Sequence, residues 1–128
     1  MKKTIKTGPV ILAAAFMLLN LAGQAGAFCV HNRSSAVMHV RQTSNGSLWK
    51  PFVVTLNPGE QACCSWETKD CNKSGGRKDY VGFEVVTKSC DGNEIEVSAC
   101  IGYKIPADAN LYIRDEAHCV TFSCHEEP

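Results

Sequence analysis

The amino-acid sequence predicts an all-β protein, a small antiparallel β-sandwich of seven or eight short strands stapled by disulfide bonds. Apolar alternation recurs about every ten to fifteen residues between clusters of Gly, Pro, Asn and Asp, and helical periodicity is nearly absent. All eight cysteines lie after residue 27, and an even number at this density is typical of small exported domains.

Residues 1–27 have the pattern of a bacterial secretory signal peptide. Basic residues at positions 2, 3 and 6 precede an apolar run over 10–21, and Ala25-Gly26-Ala27 supplies a small-residue ending. The apolar run is short and broken by Asn20, so we expect no stable membrane insertion. The mature chain is then a single domain over 28–128, exported to the periplasm or the cell exterior, where disulfides persist.

The charge of the mature domain limits its general partners. All 13 acidic residues of the chain follow residue 27, but only ten of the 13 basic ones do, so the mature part carries a net charge of −3. A mildly acidic domain argues against nucleic acid as a partner.

The first four strands are predicted over 28–31, 36–42, 52–56 and 61–66, where apolar and polar side chains alternate. Between the third and fourth strands, Asn57-Pro58-Gly59-Glu60 predicts a type II turn, because Pro presets φ and Gly accepts the positive φ that follows. Residues 67–79 show no periodicity and predict an exposed loop tied down by Cys71.

The clearest hairpin joins 80–87 to 94–103 through Asp91-Gly92-Asn93. A three-residue loop, which pairs Cys90 with Glu94, gives the best cross-strand matches. These predicted matches are Lys88 with Glu96, Val85 with Ala99, Phe83 with Ile101 and Val81 with Tyr103. Residues 105–110 then form a connector, 111–114 and 119–124 are the last strands, and 125–128 are expected to fray.

The cysteines are predicted to form the disulfide framework: Cys29, Cys63, Cys64, Cys71, Cys90, Cys100, Cys119 and Cys124. Cys63 and Cys64 point to opposite faces of a strand and should bond to different partners, and not to each other.

Strand parity also separates inward from outward cysteines. Cys64 and Cys124 fall on inward faces and are candidates for a bridge between the sheets, whereas Cys63, Cys100 and Cys119 should staple edges or loops. The hairpin register excludes a Cys90–Cys100 bond, and strand geometry excludes Cys119–Cys124. The full connectivity remains open.

No familiar catalytic motif is present, and we expect no cofactor and no enzymatic activity. The alternative is a small metal-binding or hydrolytic protein that uses His118, with Asp115 and Glu116 nearby and His125 as a further metal ligand. Neither Cys-x-x-Cys, a tight His pair nor a Gly-x-Ser-x-Gly elbow occurs to support it.

Two features predict contact with a partner. Lys69, Lys73, Arg77 and Lys78 make the loop over 67–79 locally basic, and Trp49 stands beside Pro51, either in the core or as a contact. A solvated loop is the simpler interpretation of the basic residues. The function expected from the sequence is a binding, inhibitory or structural interaction module whose partner is another protein or an envelope component, with the loops 67–79 and 104–110 facing it.

The opening of the mature chain carries a resemblance. Phe28-x-Val30-x-Asn32, a second valine-rich strand and then Leu56-x-Pro-Gly-Glu60 resemble the first strands of several secreted β-sandwich families, thaumatin-like proteins among them. The resemblance covers about forty residues and implies no function.

Overall fold

The computed structural model describes residues 26–88 and 95–128, and it confirms the all-β prediction. The described residues contain eight strands and no helix. The strands are β1 (Ala27–Arg33), β2 (Met38–Ser44), β3 (Val53–Leu56), β4 (Gln61–Ser65), β5 (Tyr80–Lys88), β6 (Glu96–Pro106), β7 (Asn110–Ala117) and β8 (Thr121–Glu127).

The strands form two four-stranded sheets that pack face to face. The first sheet has the order β4-β1-β7-β8 and the second has the order β3-β2-β5-β6. Every pair is antiparallel except β1 with β7, which is parallel. The predicted signal peptide lies outside the described residues up to residue 25, and Ala27, its predicted last residue, opens β1.

Three aromatic rings form the centre of the core between the sheets. Phe28 of β1 makes edge-to-face contacts with Phe52 at 5.0 Å and with Phe83 of β5 at 5.1 Å between ring centroids. Aliphatic side chains surround them, and the largest fully buried ones are Val30, Met38, Val40, Val81, Val85, Ile105, Leu111 and Ile113. This burial supplies the main driving force for folding.

The predicted Pro-Gly turn carries the chain from the second sheet to the first. Gly59 has a φ of 85°, and the Glu60 N–H donates a hydrogen bond of 3.0 Å to the Asn57 carbonyl. The Gly59 N–H also donates to the Asn32 carbonyl of β1 at 2.8 Å. The turn therefore forms as the Pro-Gly pair predicts and is fastened to β1.

The predicted register of the β5–β6 hairpin is correct only near the turn. Lys88 lies opposite Glu96 as expected, but Val85 lies opposite Cys100, Phe83 opposite Tyr103 and Val81 opposite Ile105. Two β-bulges add residues to β6, and Gly102 takes the positive φ of 62° that such an irregularity accommodates. The residues of the predicted three-residue loop lie outside the described ones.

The shifted register also changes which cysteine faces the core. Cys100 packs against the core and bonds to Cys124 of β8, so this pair, and not Cys64 with Cys124, connects the two sheets. Ile101, which the predicted register placed opposite the core residue Phe83, is 75% exposed. The alternation of inward and outward side chains, counted along an uninterrupted strand, assigns the wrong face to residues beyond the first β-bulge.

Cys63 and Cys64 bond to different partners, as the parity of β4 predicts. Cys63 bonds to Cys29 within the first sheet, and Cys64 bonds to Cys71 in the loop that follows β4. Both excluded pairs are absent, since Cys100 and Cys124 bond to each other. Cys90 lies outside the described residues.

The last two strands differ from their predicted bounds. The segment predicted to begin at Cys119 is still a turn there, because Cys119 has a φ of 60° and the Val120 N–H donates to the Ala117 carbonyl at 2.9 Å. β8 instead continues to Glu127, which pairs with Asn110, so most of the tail expected to fray belongs to the sheet.

Asn32 is a fully buried polar side chain that joins three segments. Its Nδ2 donates to the carbonyls of Ala36 at 2.8 Å and Leu56 at 2.9 Å, and its Oδ1 accepts from Ser34 N at 3.0 Å. This side chain therefore joins β1 to the turn before β2 and to the end of β3 through buried hydrogen bonds.

We expect Asn32→Ala to lower the free energy of unfolding by about 2–4 kcal/mol, because it removes the buried hydrogen bonds of the amide to Ala36 and Leu56 and opens a cavity. Guanidinium denaturation under oxidising conditions measures the change. Asn57→Ala, at an exposed turn position, is the control, and a loss below about 1 kcal/mol for Asn32→Ala would contradict this account.

Removal of the Cys100–Cys124 disulfide between the sheets should lower the free energy of unfolding. Replacing Cys100 and Cys124 together with Ala should cost about 3 kcal/mol, because the bond closes a loop between residues 24 apart in the sequence. The same replacement of Cys64 and Cys71, which are only 7 apart, removes less loop entropy and should instead increase proteolysis within 67–79. Denaturation curves and timed trypsin digestion of the two variants test this difference.

Candidate binding surface

The most exposed apolar side chains of the described chain lie together in the connection between β2 and β3. We call residues 45–52 the Trp49 loop. Leu48 is 90% exposed and Trp49 is 92% exposed, and Lys50 follows them at the tip. The hydroxyl oxygen of Ser47 accepts hydrogen bonds from the N–H groups of Trp49 and Lys50, both at 3.1 Å. This local turn fixes the backbone beneath the exposed side chains.

The base of the Trp49 loop is joined to the loop over 67–79 by hydrogen bonds. Asn45, at a φ of 59°, donates through Nδ2 to Asn72 Oδ1 and to Ser74 Oγ, each at 2.9 Å. Its Oδ1 accepts from the Ser74 N–H at 2.9 Å. The Ser47 N–H donates to the Asp70 carbonyl at 2.7 Å. The two loops therefore form one structural unit.

Buried groups anchor that unit to the sandwich. Asn72 is fully buried and donates to the carbonyls of Trp66 at 2.7 Å and Gly76 at 3.0 Å. Gln42 of β2 donates to the Cys71 carbonyl at 2.8 Å, next to the Cys64–Cys71 disulfide. Because these bonds are made by the buried side chains of Asn72 and Gln42, movement of the loop would leave their amide donors without partners.

The two loops enclose a shallow cleft of about 310 Å³. Its lining combines the exposed apolar tip with two ammonium groups, and the lining residues are Ser47, Leu48, Trp49, Lys69, Asp70 and Lys73. Asp70 offsets one of the lysine charges, so the lining carries net positive charge. A cleft with this composition suits a partner that presents an apolar group beside carboxylates.

Arg77 and Lys78 lie elsewhere, although the sequence grouped them with Lys69 and Lys73. Both contact Asp108 Oδ2, the Arg77 Nε at 2.9 Å and the Lys78 Nζ at 2.8 Å. The Asp108 side chain is only 5% exposed. Burial alone would raise its pKa, but the hydrogen bonds and charges of Lys78 and Arg77 outweigh burial and hold the pKa of Asp108 below its ordinary value.

The loop predicted over 104–110 is much shorter in the structure. β6 extends to Pro106 and β7 begins at Asn110, which leaves three residues between them. Two of these three are buried alanines, and the third is Asp108 with its two cationic partners. The exposed surface of this connection is therefore small, and the Trp49 loop presents far more apolar surface.

The residues of the alternative metal or hydrolytic site are not brought into one cluster. Both carboxylate oxygens of Asp115 accept hydrogen bonds from Ser35, from its N–H and its hydroxyl, each at 3.0 Å. His118 and Glu116 are exposed, and His125 contacts the Ser123 hydroxyl at 2.9 Å on β8. Within 26–88 and 95–128, no three His, Cys, Asp or Glu side chains are grouped to hold a metal ion.

Sequence reasoning found Trp49 and two of the lysines, but it missed Leu48 and Asn45. Leu48 and Trp49 together form an apolar pair flanked by Ser47 and Lys50, and this composition is unusual for a turn between strands. Asn45 has a weak signal, since Asn-Gly at 45–46 predicts a left-handed residue but not its role between two loops.

No family model, no curated protein and no solved structure matches the chain, so no family is assigned to it. No helix of the described residues has the length and apolarity needed to cross a membrane. The three described disulfides indicate an oxidising environment.

The ion pairs of Asp108 with Arg77 and Lys78 predict how the stability of the protein depends on pH. A carboxylate whose pKa is lower in the folded than in the unfolded state contributes stability above the unfolded value, near 3.8, and loses it as the pH falls through the folded value. Asp108→Asn should therefore destabilise the protein at neutral pH and flatten the fall of stability below about pH 4. Urea denaturation between pH 2 and 7 measures both effects. Glu84→Gln, at a half-exposed ion pair with Arg41, serves as the control and should alter the curve little.

Proposed function

We propose that the protein is an exported, non-catalytic binding module that contacts another protein or an envelope component through the Trp49 loop. One observation carries this proposal: Leu48 and Trp49 are almost completely exposed on a loop whose backbone is held by hydrogen bonds to the neighbouring loop, in which Asn72 is buried. Inhibition or a structural role in the envelope are forms that such binding can take.

The Trp49 loop combines exposed apolar side chains with a preorganised backbone, and both favour binding. A large aromatic side chain in water forgoes the free energy that burial provides, so its burial by a partner is strongly favourable. Trp is among the residues that dominate binding energies at protein interfaces. Because the backbone of the loop is already ordered, a partner avoids most of the entropic cost of ordering it.

The charges beside the tip indicate the character of the partner. Lys69 and Lys73 line the cleft next to Trp49, and Lys50 is exposed at the tip. We infer that the partner presents an apolar pocket with acidic groups at its rim. Electrostatic attraction of this kind speeds association and weakens with added salt.

The metal-binding or hydrolytic alternative has no observation in its favour. Asp115 accepts hydrogen bonds from Ser35 in the turn between β1 and β2, and His118 is exposed and belongs to no group of three metal-ligating side chains among the described residues. A role for His118 would need ligands or a nucleophile that the described residues do not bring to it.

Trp49→Ala should weaken binding at least tenfold and leave the fold intact, because the side chain contributes almost nothing to the core. The test uses immobilised oxidised protein and an extract of the native envelope, with retained proteins quantified by mass spectrometry. A protein retained by the wild type is then purified, and its affinity is measured for the wild type, for Trp49→Ala and for a control variant. Ile101→Ala, an exposed apolar residue on β6, is the matched control and should bind as the wild type does.

A second variant separates the charges from the aromatic contact. Lys69→Glu with Lys73→Glu should slow association and remove most of its dependence on salt. Retention of the same partner with unchanged affinity by Trp49→Ala would contradict the proposal. Trp66→Phe leaves Trp49 as the single tryptophan, and its emission should shift to shorter wavelength when the purified partner binds.

A further inference from the structure

The outer face of the first sheet carries an ordered group of cationic and aromatic side chains. On β1 and β7, Val30, Leu111 and Ile113 point into the core, so the intervening residues point away from it. The register places His31 beside Tyr112 and Tyr112 beside His125, and in the next row Arg33 beside Arg114. We call Arg33, Tyr112 and Arg114 the arginine pair and its ring.

Tyr112 is the centre of this group. The His31 ring stacks on it with a centroid distance of 4.4 Å and an interplanar angle of 10°. His31 is buried, and its Nε2 lies 2.9 Å from Asn110 Oδ1, which fixes the orientation of the imidazole. The stacked rings give the outer face a rigid platform.

Both guanidinium groups lie over that platform. The Cζ atom of Arg33 is 5.5 Å from the centroid of the Tyr112 ring, and that of Arg114 is 5.6 Å away. Cation–π attraction to one ring therefore holds two like charges near each other. The arrangement restricts two long side chains that would otherwise be free in solvent.

The positive charge of the pair is only partly balanced. Glu127 Oε1 lies 3.7 Å from Arg114 Nη2, and both side chains are about half exposed. Arg33 has no carboxylate within ion-pair distance among residues 26–88 and 95–128. Like charges on adjacent strands repel, so an added anion between them would be stabilising.

We propose that Arg33 and Arg114 together bind a phosphate or sulfate group on the outer face of the first sheet. Each guanidinium offers a planar fork of donors that matches the oxygens of such a group. Both guanidinium groups lie over the Tyr112 ring, and Glu127 competes for that of Arg114. The site belongs to the first sheet, whereas the Trp49 loop connects two strands of the second, so the two proposals are independent.

The test is a calorimetric titration of the oxidised full domain with inorganic phosphate and, separately, with sulfate, at constant ionic strength. We expect saturable binding in the millimolar range, and Arg33→Gln or Arg114→Gln should each weaken it at least tenfold. Arg33→Lys keeps the charge but loses the fork, and should weaken it several-fold. Glu127→Gln should strengthen binding, because it removes the competing carboxylate.

Arg41→Gln is the matched control. Arg41 is an exposed arginine of the second sheet, paired with Glu84 at 3.2 Å, and its replacement should leave phosphate affinity unchanged. In arginine side-chain NMR spectra, the Nε–Hε signals of Arg33 and Arg114 should shift on titration while that of Arg41 does not. Equal effects of all three arginine variants, or no saturable binding up to about 10 mM, would overturn the proposal.

Two sources of the phosphate group are distinguished with vesicles. Phosphatidylcholine vesicles with and without phosphatidylglycerol are compared with free glycerol phosphate as probes. Stronger retention on the phosphatidylglycerol vesicles, lost in Arg33→Gln, assigns the site to a lipid headgroup. Equal affinity for the free and the lipid-bound phosphate assigns it to a soluble ligand. Trp49→Ala should leave either result unchanged, so failure of this proposal does not decide the function of the Trp49 loop.

Discussion

The pairing of β1 with both β4 and β7 is the contact on which the rest of the molecule depends. β1 contributes Phe28 and Val30 to the core on one face, and Cys29 and His31 are buried on the other. The antiparallel side is fixed covalently by the Cys29–Cys63 bond, and the parallel side brings β7 into the sheet after a long excursion of the chain. A strand buried on both faces and bonded on both edges tolerates little change in position.

The two candidate surfaces depend on this central strand in different ways. The β3–β4 turn is bonded to β1, β4 leads into the loop anchored by Cys71, and that loop supports the Trp49 loop. The arginine pair and its ring lie directly on β1 and β7. The Trp49 loop thus presents its side chains on a loop held by hydrogen bonds. The outer face of the first sheet presents them on the strands themselves, where strand register sets their positions.

Much of the fold was predictable because alternation along the chain reports directly on which side chains are buried. All eight strands, the Pro58-Gly59 turn and the divergent bonding of Cys63 and Cys64 follow from local pattern. The β-bulges around Cys100 were not predictable, since an inserted residue leaves no local sign except Gly102, and the inter-sheet disulfide was missed with them. The separation of Lys73 from Arg77 and Lys78 also depends on a distant residue, Asp108. The pairing of Arg33 with Arg114 requires a parallel alignment of segments far apart in the sequence.

The hydrogen bonds that hold the Trp49 loop determine which of its residues can be substituted. They involve the side chains of Asn45, Ser47, Asn72 and Ser74 and backbone atoms, and none involves the side chains of residues 48–50. The side chains at positions 48–50 can therefore change without loss of the hydrogen bonds that hold the loop. Substitutions at these three positions change the exposed surface without removing the hydrogen bonds beneath it, so a short recognition sequence can be grafted there without rebuilding the domain.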